Sequence, residues 1–162
     1  MGPKLSISRP SEREIRIARA FAAPRALVFE AFTRPELLRR WLYGPDGWAL
    51  EVCDVELRAG GSYRYVWVRE RDGKRMGATG TYREIVVPKR IVASELFDEP
   101  WYAGESLVTS EFTEQAAKLT LVTQTLGYES QAARDSVLRS PMDQGLSAGY
   151  DRLDAVLESL ER

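Results

Sequence analysis

Apolar residues alternate with polar or small ones over most of this 162-residue chain. In the first such stretch Ile15, Ile17 and Phe21 share one face, as the side chains of a half-buried strand do. Gly60-Gly61 and Asp72-Gly73 interrupt the pattern and are typical of tight turns. The pattern predicts strands over residues 12–21, 48–57, 62–71, 76–87, 90–98, 106–113 and 118–126.

Spacings of three and four residues predict the helices. Pro24 suits the first turn of a helix, Pro35 interrupts that helix, and a second short helix follows over 36–41. Residues 130–139 are interpreted as a further helix, ended by Pro141. The last segment predicts a long amphipathic helix whose inner face carries Met142, Leu146, Gly149, Tyr150, Leu153, Val156, Leu157 and Leu160.

The order of these elements limits how they can pack. One strand, a helix pair, six strands and a long helix describe an α+β domain, and only the last helix is long enough to cover the antiparallel sheet. A bent sheet and one helix do not touch along their whole length, so we expect a cavity between them. We expect a single domain over 12–162, preceded by a flexible N-terminal segment over 1–11.

The composition is that of an ordinary globular domain, 44% hydrophobic and 29% charged. No apolar run approaches the roughly 18 residues that a membrane-spanning helix needs, and the first residues lack the apolar core of a signal peptide. The net charge is −1, and the arginines are scattered rather than clustered. We therefore expect a cytoplasmic protein that neither inserts into a membrane nor binds nucleic acid.

Two scarce residue types limit the possible chemistry. The chain has no histidine and one cysteine, Cys53, which excludes imidazole catalysis, an intrachain disulfide and a zinc site of the Cys/His type. Cys53 alternates with apolar neighbours and is interpreted as a buried apolar group rather than a nucleophile. Proton transfer near neutral pH would need a carboxylate, a lysine, a tyrosine or a bound water. We expect no metal ion and no cofactor.

Three large rings, those of Tyr63, Tyr65 and Trp67, stand on one face of a predicted strand. The opposite face is also partly apolar, so alternation alone does not decide which face is internal. We favour the aromatic face because exposing three rings to water would be costly. The rings either fill the core or form the wall of a ligand site, since aromatic side chains serve in both. Around the same cavity we place Trp41, Tyr82, Phe97 and Trp101.

Glu95 has the same parity as the apolar Ala93 and Phe97. If that face is internal, a carboxylate lies in apolar surroundings, where loss of hydration raises its pKa and makes it a candidate acid or base. A solvated position at the sheet edge is the alternative. Arg64 and Arg83 are candidates to pair with that carboxylate or to receive a ligand carboxylate, and a surface role is the alternative for each.

Several stretches match the pattern of a known family: residues 18–41 (ARAFAAPRALVFEAFTRPELLRRW), 57–65 (LRAGGSYRY), 80–85 (GTYREI), and 132–135 (AARD) followed by Met142, Gly145, Tyr150 and Leu153. Together, over roughly residues 12–160, they resemble the activator of heat-shock-chaperone ATPase homologue-like (AHSA-type) family of the START/polyketide cyclase (SRPBCC) superfamily. The resemblance implies a helix-grip fold, in which a curved antiparallel sheet wraps around a long C-terminal helix. It also makes a homodimer a reasonable expectation, and none of the stretches is a catalytic signature.

Three functions follow as hypotheses. The leading one is a module that binds a small hydrophobic or amphipathic molecule through Trp41, Tyr63, Tyr65, Trp67, Tyr82, Glu95, Phe97, Trp101, Met142, Leu146 and Tyr150. The second is a cyclase- or hydratase-type enzyme in which Glu95 or Tyr65 moves a proton. The third, regulation of a chaperone ATPase, rests on the resemblance alone. Regulators of that kind generally carry an additional domain, for which this chain has no room, so we expect no chaperone partner.

Overall fold

Apart from one additional strand at the start, the helices and strands follow one another in the predicted order. A computed structural model describes residues 5–161, apart from the side chains of Met142 and Asp143. The strands are β1 (Ser6–Ser8), β2 (Glu14–Phe21), β3 (Trp48–Val55), β4 (Ser62–Arg69), β5 (Arg75–Val86), β6 (Arg90–Phe97), β7 (Ser106–Ala116) and β8 (Leu119–Gly127). The helices are α1 (Arg25–Ala31), α2 (Pro35–Leu38), α3 (Gln131–Leu138) and α4 (Met142–Leu160). None of the helices within residues 5–161 is both long and apolar enough to cross a bilayer.

The strands form one antiparallel sheet in the order β1-β2-β8-β7-β6-β5-β4-β3. From β3 to β8, each strand pairs with the next one along the chain to form a hairpin. Strand β2 joins the sheet by pairing with β8. Register shifts between Leu50 and Val52 and between Tyr82 and Glu84 mark bulges, which bend a sheet locally. The predicted α+β, helix-grip architecture is confirmed.

The edge strand β1 was not predicted from the sequence. Its residues are all exposed, and a run of three is too short to show a period. Because Ile7 pairs with Ile17 of β2, the sheet extends into the segment 1–11 that we expected to be flexible. Residues 1–4 of that segment lie outside the described residues.

Helix α4 packs on the concave face of the sheet through its C-terminal half. Leu153 is fully buried there, as its place in the helical pattern predicts. Arg19 of β2 shares the inward parity of Phe21 and is only 4% exposed. Its guanidinium donates hydrogen bonds of 2.8 and 2.6 Å to the two carboxylate oxygens of Asp154 in α4. A buried charge is tolerated when it is paired in this way, so the ion pair ties the last helix to the first long strand.

Replacing Leu153 by alanine tests whether α4 is anchored at this half. We expect the free energy of unfolding to fall by about 2–5 kcal/mol, because the substitution leaves a cavity in a fully buried site. Urea denaturation measures it. Leu160→Ala is the matched control in the same helix; Leu160 is 38% exposed, so we expect a loss below about 1 kcal/mol. Equal losses for the two variants would contradict the described packing.

Candidate ligand-binding cavity

A cavity of about 570 Å³ lies between the concave face of the sheet and the N-terminal half of α4. The helix lines it only between Gly145 and Arg152, whereas later residues such as Leu153 pack into the core. The volume falls within the range of about 300–1,000 Å³ that is typical of small-molecule pockets. The helix therefore holds the sheet at one half and spans an open space at the other.

The cavity opens to solvent at one end. The exposed residues of its wall include Pro45 in the loop before β3, Met76 near the start of β5 and Gly145 near the start of α4. Arg152 of α4 donates a hydrogen bond of 2.7 Å to the carbonyl oxygen of Gly44, which joins the helix to that loop. These segments form the rim through which a ligand would enter.

Strand β4 presents its aromatic face to the cavity. The ring centroids of Tyr63 and Tyr65 lie 4.6 Å apart, and those of Tyr65 and Trp67 lie 5.8 Å apart. The indole N–H of Trp67 donates to the carbonyl oxygen of Leu42 at 3.0 Å, which fixes that ring. The hydroxyl of Tyr65 has no hydrogen bond within the described part of the chain and faces a space where a ligand could accept or donate one.

A hydrogen bond of 2.5 Å runs from the hydroxyl of Tyr63 to Oε2 of Glu95, and both side chains lie on the cavity wall. Gly80 of β5 lies between them, since it pairs with Tyr63 on one side and with Glu95 on the other. A Cβ at residue 80 would lie 2.0 Å from the Tyr63 ring, far inside van der Waals contact. The missing side chain of Gly80 lets that ring cross β5 and reach the carboxylate.

The surroundings of Glu95 oppose its ionisation. Loss of hydration raises the pKa of Glu95, and the hydrogen bond from Tyr63 opposes part of this rise. Burial and the adjacent carboxylate in turn raise the pKa of the Tyr63 phenol, so that the phenol stays protonated and remains a donor. No arginine or lysine among the described residues forms an ion pair with Glu95. The carboxyl group can therefore hold a proton, release it or accept a hydrogen bond from a ligand.

A second polar group of the wall lies under α4. The hydroxyl of Tyr150 donates to Oε1 of Gln124 at 2.7 Å, and Nε2 of Gln124 donates to Oγ of Ser110 at 3.1 Å. All three residues line the cavity. Because their polar atoms already form hydrogen bonds with one another, these three residues shape the wall and do not need a hydrogen bond from a ligand.

Most of the residues expected to bind a ligand share this wall: Trp41, Tyr63, Tyr65, Trp67, Tyr82, Glu95, Phe97, Leu146 and Tyr150. Trp101 does not, which corrects that expectation. Its side chain is 47% exposed in the loop after β6, where its ring packs edge-on against Tyr102. A loop residue has no period that shows which way it faces. Met142 begins α4, and its side chain lies outside the described residues.

The other candidate residues do not line the cavity. Arg64 donates to both carboxylate oxygens of Asp98 at 2.6 and 2.7 Å, and Arg83 donates to Oγ of Ser94 at 3.0 Å. Neither arginine therefore pairs with Glu95. Cys53 is buried, and burial raises the pKa of its thiol to about 11, so it is a poor nucleophile at neutral pH.

Sequence reasoning did not identify several residues of the wall. Val108 and Leu126 lie on the inward parity of β7 and β8, so the alternation in those strands carried a usable signal for them. Gln124 has the same parity, but a polar side chain gives no sign of facing inward. The other residues missed include Phe32, Leu42, Trp48, Met76 and Arg152.

Comparison with known proteins identifies relatives of the whole domain. The model of the family described as "Activator of Hsp90 ATPase homolog 1-like protein" matches residues 22–158. A crystal structure of a protein from Rhodobacter sphaeroides is 32% identical, with a TM-score of 0.90, and the match covers 96% of this chain and 99% of that one. A search of curated proteins finds no match.

Two less similar structures share the fold. A protein from Nitrosomonas europaea is 22% identical, with a TM-score of 0.81 over 94% of this chain and 99% of that one. An Hsp90 activator from Plasmodium falciparum is 20% identical, with a TM-score of 0.65 over 90% of this chain and 96% of that one. At such identities the likeness shows the fold alone. Because the family model spans most of the sequence and the Rhodobacter sphaeroides protein matches nearly end to end, the chain belongs to the family of Activator of Hsp90 ATPase homolog 1-like proteins.

Proposed function

We propose that this protein binds a small apolar or amphipathic molecule in the cavity between the sheet and α4. The observation that supports this most strongly is a space of about 570 Å³ with a wall built mainly from aromatic and aliphatic side chains. A ligand that fills it gains about 25 cal/mol for each Å² of apolar surface removed from water. Glu95 and the hydroxyl of Tyr65 add polar contacts, which favour an amphipathic ligand over a pure hydrocarbon.

Filling the cavity from within tests the binding proposal. Val108 projects into the cavity from β7, while the preceding Leu107 is 47% exposed on the outer face. We expect Val108→Trp to weaken binding of the neutral fluorescent probe N-phenyl-1-naphthylamine at least about tenfold, or about 1.4 kcal/mol, because the indole occupies its space. Fluorescence titration measures the dissociation constant.

Leu107→Trp adds the same ring on the opposite face and is the control, for which we expect unchanged affinity. Thermal unfolding of both variants checks that each is folded. The proposal fails if the wild-type protein does not bind the probe, or if both variants bind it as the wild type does.

Acid–base catalysis on a bound molecule is a second candidate function. One observation favours it: a carboxyl group whose pKa is raised by loss of hydration bonds to Tyr63 inside the cavity, with the Tyr65 ring 4.6 Å from that of Tyr63. General acids and bases work best when their pKa lies near the working pH. This is the cyclase- or hydratase-type hypothesis, with Glu95 or Tyr65 moving the proton. Binding ranks first because catalysis requires binding too. Catalysis also requires that the substrate be held in the right geometry.

The ionisation of Glu95 is testable through the pH dependence of stability. Because the folded state raises the pKa of Glu95, the folded protein binds this proton more tightly than the unfolded chain does. The bound proton therefore contributes to the free energy of unfolding at low pH. This contribution is lost as the pH rises from the ordinary pKa of a glutamate through the raised pKa of Glu95. Glu95→Gln removes this loss, so we expect the stability of the wild type relative to this variant to fall from mildly acidic to mildly alkaline pH.

Urea denaturation across that pH range gives the difference between the two proteins. Glu114→Gln, which alters an exposed carboxylate of β7, is the control for a simple loss of surface charge. A difference between wild type and Glu95→Gln that stays constant or grows with pH would contradict the raised pKa of Glu95 in the folded protein.

Regulation of Hsp90 is a third candidate, suggested by the name of the family and by the fold shared with the Hsp90 activator from Plasmodium falciparum. It ranks last because nothing in the geometry of the cavity bears on it. We expect no stoichiometric complex when the purified chain is mixed with Hsp90 and analysed by size-exclusion chromatography. A complex that persists in Val108→Trp would place chaperone binding first and separate it from the cavity.

A further inference from the structure

The charges on the cavity wall are distributed unevenly. Among the described residues of the wall, the charged side chains are those of Glu95 and Arg152. The Arg152 guanidinium lies at the rim, where it bonds the carbonyl oxygen of Gly44, reaches Oδ1 of Asp46 at 3.3 Å and stacks 3.9 Å from the centroid of the Tyr43 ring. Its positive charge is therefore engaged outside the interior, and the interior has a carboxyl group without a cation.

Glu95 keeps one oxygen available. Oε2 accepts the hydrogen bond from Tyr63, while Oε1 has no hydrogen bond within the part of the chain that the structure describes. The side chain is half-buried, and it lies on the cavity wall. A ligand donor that enters the cavity can therefore reach an unpaired carboxylate oxygen in surroundings of low polarity, where charge-assisted hydrogen bonds are strong.

The tyrosines near Glu95 add to the negative character of this region. The Tyr63 ring lies 4.6 Å from that of Tyr65 and 5.4 Å from that of Tyr82, and all three rings line the cavity. The face of an aromatic ring carries partial negative charge and attracts cations. Burial is the main cause of the raised pKa of Tyr63 and Tyr65, and the charge of Glu95 adds to it.

We propose that the ligand carries a cationic nitrogen, which lies between Oε1 of Glu95 and the rings of Tyr63 and Tyr65, with its apolar body along the aromatic wall. This inference rests on the proposed binding function and specifies the chemical class of the ligand. An ammonium group supplies the positive charge that the interior lacks. A carboxylate ligand would instead meet a second carboxyl group, and a neutral alcohol would supply no charge to balance the ionised form of Glu95.

A matched set of ligands with one chain length tests this assignment. Decylamine, which is an ammonium ion at neutral pH, is compared with decanol and decanoate at concentrations too low for micelles. Competition with N-phenyl-1-naphthylamine measures their dissociation constants on the wild type, on Glu95→Gln and on the exposed control Glu114→Gln. Val108→Trp shows whether binding occurs in the cavity.

We expect decylamine to bind the wild type at least about tenfold more tightly than decanol, with decanoate the weakest. In Glu95→Gln we expect decylamine to lose about tenfold while decanol changes less than about threefold, and in Glu114→Gln we expect no change. The comparison of ligands on the wild type stands even if Glu95→Gln fails to fold.

Three outcomes would overturn the inference in different ways. If decanol or decanoate binds as tightly as decylamine, the cavity is a receptor without a preference for cations, and the proposed binding function stands. If none of the three binds, the inference fails together with the binding function. Decylamine binding that Val108→Trp leaves unchanged would place the amine outside the cavity and also contradict the inference.

Discussion

Helix α4 is tied to the sheet at its C-terminal half and stands away from it at its N-terminal half, and the position of the cavity depends on this asymmetry. The ion pair of Arg19 with Asp154 and the burial of Leu153 hold the tied half. The other half rests on Trp41, whose indole N–H is bonded to Ala31 at 2.9 Å and whose ring centroid lies 6.0 Å from that of Tyr150. Trp41, which follows α2 and is bonded to α1, thus supports the half of α4 that lines the cavity.

Opposite that end, three adjacent strands assemble the chemistry of the cavity. Strand β4 supplies Tyr63, β6 supplies Glu95, and β5 crosses between them at Gly80. Glu95 can take part in both acid–base catalysis and ligand binding, and the two differ in what neutralises its carboxylate. A proton does so in acid–base catalysis, and an ammonium group does so in binding. The absence of a cationic side chain beside Glu95 among the described residues leaves both routes available.

The periodicity of the sequence predicted the long strands and α4, because half-buried strands and amphipathic helices require apolar side chains at fixed intervals. It also favoured the correct inner face of β4, and it gave Glu95 the parity of Ala93 and Phe97 but left open whether that face is internal. It did not identify Arg19 as internal, because a charged residue is tolerated on an inward position only when it is paired, and the partner Asp154 lies 135 residues further along the chain. The orientation of Trp101 depends on a loop, which has no period.

The contact between the Tyr63 ring and the backbone at Gly80 links two positions that lie apart in sequence but pair in the sheet. Any side chain at position 80 would push the aromatic ring off the strand and detach the phenol from Glu95. We therefore expect a larger residue at position 80 only in homologues that also lack the tyrosine at position 63. Joint variation of these two positions among homologues would record where this internal contact was kept and where it was abandoned.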